Sequence, residues 1–182
     1  RAARAEISAV VAHAFDEARH IALDLEGPLA ELPLKVHARY QREEILAALD
    51  FPRHATSFRE GVYFSPDHNV DAFFITLKKS EASYSPTTMY RDYPISPTLF
   101  HWESQSTTSA DSPTGRRYLT GTSQVLLFVR EQQRNEFGTS PYLFLGPGRY
   151  VSHQGSRPIA ITWRLEHAMP LDVFNAASVA AV

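Results

Sequence analysis

Gln124-Val-Leu-Leu-Phe-Val-Arg130 sets five consecutive apolar side chains between an amide and a cation. A run of that length without alternation suits a strand buried on both faces, and it is short for a core helix. It predicts the centre of a sheet. On its N-terminal side, Gly61–Phe64 reads as a short strand, Ser65–Asn69 as a turn, and Val70–Leu77 as a second strand ended by Lys78 and Lys79. On its C-terminal side, Glu131–Gly138 is a polar loop and Pro141–Leu145 a strand. Gly146-Pro-Gly148 reads as a turn and Arg149–Ser152 as a strand. His153–Arg157 turns again, and Ile159–Leu165 alternates as a half-buried strand does. Met169–Phe174 reads as a closing turn, and the alanine-rich tail from Ala176 as frayed.

Ahead of the strands the period changes. Ile7, Val10, Val11, Ala14, Phe15, Ala18, Ile21 and Leu25 recur at three- and four-residue steps, predicting an amphipathic helix over residues 2–25 that Gly27-Pro28 ends. Leu32–His37 is extended, and Arg42–Leu49 is a short helix entered through Gln41. The expected fold class is therefore α+β. N-terminal helices precede a strongly curled, mostly antiparallel sheet or a small β-barrel. The expected divisions are a helical lead-in over 1–55, a β-rich domain over 56–175 and a frayed tail over 176–182.

The 182 residues carry a formal net charge of −2, so nucleic-acid binding must come from a local patch. Arg116, Arg117, Arg130 and Arg134, interrupted by Glu131, form the best one. The absence of cysteine excludes disulfide scaffolds, thiol catalysis and cysteine zinc sites, and fits a reducing cytoplasm. No apolar run reaches the roughly 20 residues a membrane span needs. The chain begins at Arg1 without an initiator methionine, as a fragment of a longer protein would.

The least ordinary stretch is Tyr84 to Tyr118. There Tyr84, Tyr90, Tyr93, Phe100 and Trp102 are interleaved with hydroxyls, Gln105, Asp92 and Glu103, and prolines at 86, 94, 97 and 113 oppose a long helix. Flat faces with polar groups beside them suit a planar heteroaromatic ligand. The same composition also suits a long loop whose aromatics plug the core. Trp102 can stack a base whose edge bonds Ser104, Gln105 or Ser106, and Asp92 can accept from an exocyclic amine. Tyr84, Ser85, Tyr90 and Tyr93 complete this candidate pocket. Lys78, Lys79, Arg116 and Arg117 are the candidates for DNA phosphates.

Other chemistry finds little support. The eight histidines, at 13, 20, 37, 54, 68, 101, 153 and 167, include no i, i+4 pair of the zinc-enzyme kind. Gly146-Pro-Gly148 is no phosphate loop, and no Gly-x-Ser-x-Gly elbow exists. This chain is expected to be no enzyme by itself and to need no metal or cofactor.

A set of motifs carries a resemblance. They are Tyr-Ser-Pro-Thr-Thr-Met-Tyr-Arg-Asp-Tyr (84–93), Phe-His-Trp-Glu-Ser-Gln-Ser-Thr-Thr (100–108), Ser-Pro-Thr-Gly-Arg-Arg-Tyr (112–118) and Leu-Leu-Phe-Val-Arg-Glu (126–131). Pro-Tyr-Leu-Phe-Leu-Gly-Pro (141–147), Tyr-Val-Ser-His-Gln-Gly (150–155) and Ile-Thr-Trp-Arg-Leu (161–165) complete them. Together they resemble the C-terminal domain, long of unknown function, of bacterial superfamily II helicases with a phospholipase-D-like nuclease. SauUSI-type modification-dependent (type IV) restriction endonucleases have that arrangement. Leu34–Leu49 resembles the family's helical lead-in. The resemblance implies a target-recognition module for phage defence, sensing 5-methylcytosine or 5-hydroxymethylcytosine in double-stranded DNA by base flipping. By looser analogy it implies an SRA- or PUA-like fold. Its partners would be modified DNA and the helicase and nuclease domains of the same chain, with homodimerisation open. The competing expectation is a structural coupling or dimerisation module that does not read DNA.

Overall fold

The computed structural model describes residues 20–78, 91–136 and 138–180. The helix expected over 2–25 thus falls mostly outside the described residues. Where that span is described, Leu23–Asp24 form strand β1, paired antiparallel with β2 (Lys35–Val36), and Lys35 Nζ meets Asp24 Oδ1 at 2.6 Å. The chain from Glu31 to Val36 is extended, with Leu32, Leu34 and Val36 buried at every second position and the residues between them exposed.

The remaining strands are β3 (Arg39–Tyr40), β4 (Val62–Ser65), β5 (Val70–Thr76), β6 (Tyr93–Ser96), β7 (Leu99–Glu103) and β8 (Gln124–Arg130). They are followed by β9 (Arg134–Asn135), β10 (Gly138–Thr139), β11 (Tyr142–Gln154) and β12 (Ala160–Leu165). Among the described residues the α-helices are α1 (Arg42–Ala48), α2 (Pro113–Thr120) and α3 (Leu171–Ala180). They are spread along the chain and are not gathered ahead of the sheet. The class is α+β.

The main sheet runs β4-β5-β8-β11-β12-β7-β6, with β3 pairing β11 as its eighth strand. The β5–β8 pair is parallel and the others are antiparallel. The expected curl or barrel is corrected here: the sheet is mixed and open, with β4 and β6 as its edges. A parallel pair needs a crossover. This one takes the chain to the far edge, where it lays down β6 and β7 before returning as β8.

Two further expectations are corrected. Gly146-Pro-Gly148 lies inside one continuous 13-residue strand, β11, and makes no turn. The register against β8 shifts between Phe144 and Gly146, Gly146 sits at φ +94°, and a Cβ there would lie 3.1 Å from both Val36 methyls. Glycine allows this bulge, beyond which β11 stays paired with β8 as far as Gly148 and takes up β12 on its other edge. Ser112-Pro113 opens helix α2. Ser112 Oγ accepts from Gly115 N at 3.0 Å, and Pro113 occupies the first turn, where its missing N–H costs nothing. Met169–Phe174 and the tail after it contribute α3 where a turn and a frayed end were expected.

Alternation splits the core into two layers. Val70, Ala72, Phe74, Leu126 and Phe128 face the segment from Leu25 to Phe58, α1 included. Phe73, Ile75, Val125, Leu127 and Val129 face α2, Trp102 and Trp163. Both faces of β5 and β8 are therefore covered, as their unbroken apolar runs require.

Candidate functional site

The parallel strands β5 and β8 end at Thr76 and Arg130, and both residues line a cleft of about 470 Å³. Its walls divide by element. Arg42 from α1, Arg59 to Val62 leading into β4, Phe74, Thr76 and Arg130 form one side. Asp92 before β6, with Trp102, Glu103, Gln105, Ser106 and Thr107 from β7 and the loop after it, form the other.

Four of the expected pocket residues thus converge: Asp92, Trp102, Gln105 and Ser106. β7 sets them in place by alternation, which turns Phe100 and Trp102 into the core and leaves His101 and Glu103 half-buried. Asp92 Oδ1 accepts from Glu103 N at 3.1 Å, and Glu103 Oε2 accepts from Arg91 N at 3.1 Å. These two bonds hold two carboxylates at the rim. Gln105 and Ser106 follow the strand and are exposed.

The others go elsewhere. Tyr93 stacks on His101 with ring centroids 4.6 Å apart. Ser104 is fully buried, accepting from Ile159 N at 2.9 Å and donating to Gln105 O at 3.2 Å, so it ties β7 to the chain before β12. Trp102 is 6% exposed and stacks on Phe73 at 4.2 Å, which makes it the floor of the cleft and leaves little ring face for a ligand. Tyr84, Ser85, Tyr90 and Lys79 lie outside the described residues.

Of the expected phosphate ligands, Lys78 pairs with Glu131 at 2.5 Å and Arg116 is exposed on α2. Arg117 is engaged inside the fold. Its Nε and Nη2 reach the two oxygens of Asp71 at 2.7 and 2.9 Å, and its guanidinium lies 3.9 Å from the centre of the Phe64 ring. Asp71 is fully buried and also accepts from Ser123 Oγ at 2.5 Å. The Asp71 hydrogen bonds push the Arg117 pKa upward. Burial pushes that of Tyr118, the next residue, strongly upward. The run Arg116, Arg117, Arg130 and Arg134 is not one surface, because Arg130 is 7% exposed with Nε on Thr76 Oγ1 at 3.0 Å.

The basic residues of the cleft that composition did not single out are Arg42 and Arg59. Arg42 donates to Tyr142 Oη at 2.8 Å, and its guanidinium lies 5.2 Å from the Phe74 ring centre. Arg59 donates to the carbonyls of Thr56 and Phe58. Neither pairs with a carboxylate among the described residues. A sequence signal did exist for Arg42, which stands at the first position of a well-marked helix.

Among the described residues no three histidine or acidic side chains converge as metal ligands, and no helix is long and apolar enough to cross a membrane. The cleft between Tyr118 and Tyr150 contains none of the expected residues.

Residues 34–177 match the family model described as domain of unknown function DUF3427. The chain belongs to the DUF3427 family. No curated protein matches it. The matched span of the DUF3427 domain runs from Leu34, beside β2, into α3, and so includes the whole main sheet and both walls of the cleft.

Proposed function

We propose that this DUF3427 domain is a DNA target-recognition module that takes an extruded modified cytosine into the cleft beyond β5 and β8, on behalf of the helicase and nuclease parts of a larger enzyme. One observation carries the reading: Asp92, Gln105 and Ser106, drawn from the aromatic and polar stretch, line one cleft together with the apolar Phe74 and Trp102. A cytosine presents an amine donor beside ring and carbonyl acceptors. Carboxylate, amide and hydroxyl groups over an apolar base complement that edge. Among the described residues no helix is a basic recognition helix for the major groove, which favours a flipped base over readout in place. The motifs that resemble modification-dependent restriction enzymes supply the modified base and the motor partners.

The test compares duplexes with and without a central 5-methylcytosine, using Gln105→Ala and Asp92→Asn beside the parent. Trp102 is a poor probe, since its removal opens the core. The parent should prefer the modified duplex by about 1–3 kcal/mol, the worth of a methyl in a fitted pocket. Both variants should reduce that preference. A 2-aminopurine placed beside the modified base should brighten on binding as its neighbour leaves the stack. Equal affinity for the two duplexes, with no brightening, would refute the reading.

A further inference from the structure

We infer that the Arg42–Arg59 wall of the cleft is a phosphate subsite, so that the domain takes a whole nucleotide unit with its backbone phosphate and not a base alone. The inference rests on reading the opposite wall as the base side. The cleft is bipolar: its guanidinium side comes from α1, the approach to β4 and the end of β8, and its amide and hydroxyl side comes from β7 and the loop after it. The carboxylates of the second side are already held by backbone N–H groups of Glu103 and Arg91.

The guanidinium side is held differently. Arg42 is fixed by the Tyr142 hydroxyl at 2.8 Å and by the rings of Phe74, Tyr142 and Phe58 at 5.2, 5.8 and 6.0 Å. Arg59 is fixed by two carbonyls. A guanidinium has five donors, and these partners occupy a minority of them. Rings and carbonyls orient the cation without neutralising it. The result is a preset pair of positive forks facing a cleft, the arrangement that recognises a phosphate with least loss of side-chain freedom. Glu60 also lines the cleft, and its carboxylate accepts from Arg59 N at 3.2 Å. With Arg130 the wall carries three guanidinium groups against this one acid, while the carboxylates of Asp92 and Glu103 stand on the opposite wall.

The experiment places a neutral methylphosphonate on either side of a central 5-methylcytosine, and on either side of cytosine, in a short duplex. Binding is measured for the parent chain, for Arg59→Ala and for Arg42→Gln. In the parent, one of the two neutral linkages should lower affinity about tenfold, the worth of a charge-assisted contact. In Arg59→Ala, whose side chain is exposed, that loss should shrink, and the slope of log affinity against log salt should fall by about one unit. The preference for 5-methylcytosine over cytosine should survive in both variants. No loss from either linkage in the parent would overturn the phosphate subsite and leave the base reading intact. A loss that persists undiminished in Arg59→Ala and Arg42→Gln would place the phosphate elsewhere and overturn it too. A linkage effect without any preference for the modified base would keep the subsite and remove the base pocket. Because the linkage effect is read in the parent, the result stands even if Arg42→Gln does not fold.

Discussion

The burial of Asp71 sets two adjacent residues, Arg116 and Arg117, on divergent courses. Arg116 and Arg117 look alike in the sequence, yet a helix separates neighbours by about 100° of rotation. Arg116 therefore faces water while Arg117 reaches a fully buried carboxylate on β5. Removing one partner of such a pair strands the other charge in the interior. Arg117→Ala should cost about 3–5 kcal/mol in urea unfolding, whereas Arg116→Ala should stay within about 0.5 kcal/mol. Equal effects of the two would sink the assignment. Arg117→Ala would impair DNA binding only through folding, so binding per folded molecule is the quantity to compare. Site legibility at this scale was mixed. Asp92, Gln105 and Ser106 could be picked out because polar groups between aromatics are rare in linkers. Ser104, two residues from Trp102, could not be told from them, because its burial depends on Ile159 across the sheet.

Elements were most legible where one rule acted alone. β5 and β8 are unbroken apolar runs, and α1 has both a period and an acidic first turn, with Glu44 Oε2 accepting from Gln41 N at 2.6 Å. Rules that share residues misled. Ser-Pro-Thr-Gly can serve a turn or a helix start, and here the Ser112 cap and the packing of Tyr118 against Phe73 go with the helix α2. Gly-Pro-Gly is locally a turn, but pairing on both sides holds it in β11. This second case is testable. Gly146→Ala forces a side chain onto φ +94° and against Val36, and should destabilise by about 1–3 kcal/mol. Gly61→Ala, with nothing within 4 Å of the added carbon, should change little. Thermal melts of the two variants make the comparison. A neutral Gly146→Ala would mean the bulge relaxes without loss.

At the scale of the molecule, one cluster links the chain's ends. His20, His37 and His167 gather where the entry segment, the β2–β3 turn and the lead-in to α3 meet, and His20 Nε2 lies 2.8 Å from Asp172 Oδ1 on α3. His37 Nε2 is buried without a partner. Burial first, then His20 and His167, lower the His37 pKa below its ordinary value. A depressed histidine binds fewer protons folded than unfolded, so stability falls as pH drops through about 6.5 toward the folded value. The Asp172 pKa is also lowered, chiefly by the His20 hydrogen bond. Its contribution is present above the unfolded carboxylate value and lost at lower pH. Unfolding free energy should therefore fall between pH 7 and 5, by up to about 1.4 kcal/mol per pH unit for one proton, and the melting temperature with it. His37→Gln should flatten that slope, and an unchanged slope would assign the acid sensitivity to other groups. None of this grouping was visible in a sequence that spaces the three histidines across 147 positions.

The parallel contact between β5 and β8 also governs how the molecule is assembled. Three pieces can form from nearby chain: the β4–β5 hairpin, the β6–β7 hairpin, and the meander from β8 through β11 to β12. Two seams then join them, β5 to β8 and β12 to β7, and each closes a long stretch of chain before any contact rewards it. The middle of the finished sheet is thus a late event in folding. Until it happens, β5 waits as a seven-residue edge that is apolar on both faces. Synthesis makes that wait unavoidable, because the ribosome delivers Val70–Thr76 well before Gln124–Arg130. The nascent domain is most open to wrong pairing in that interval, and crowding by sister chains or loss of a chaperone would act there first.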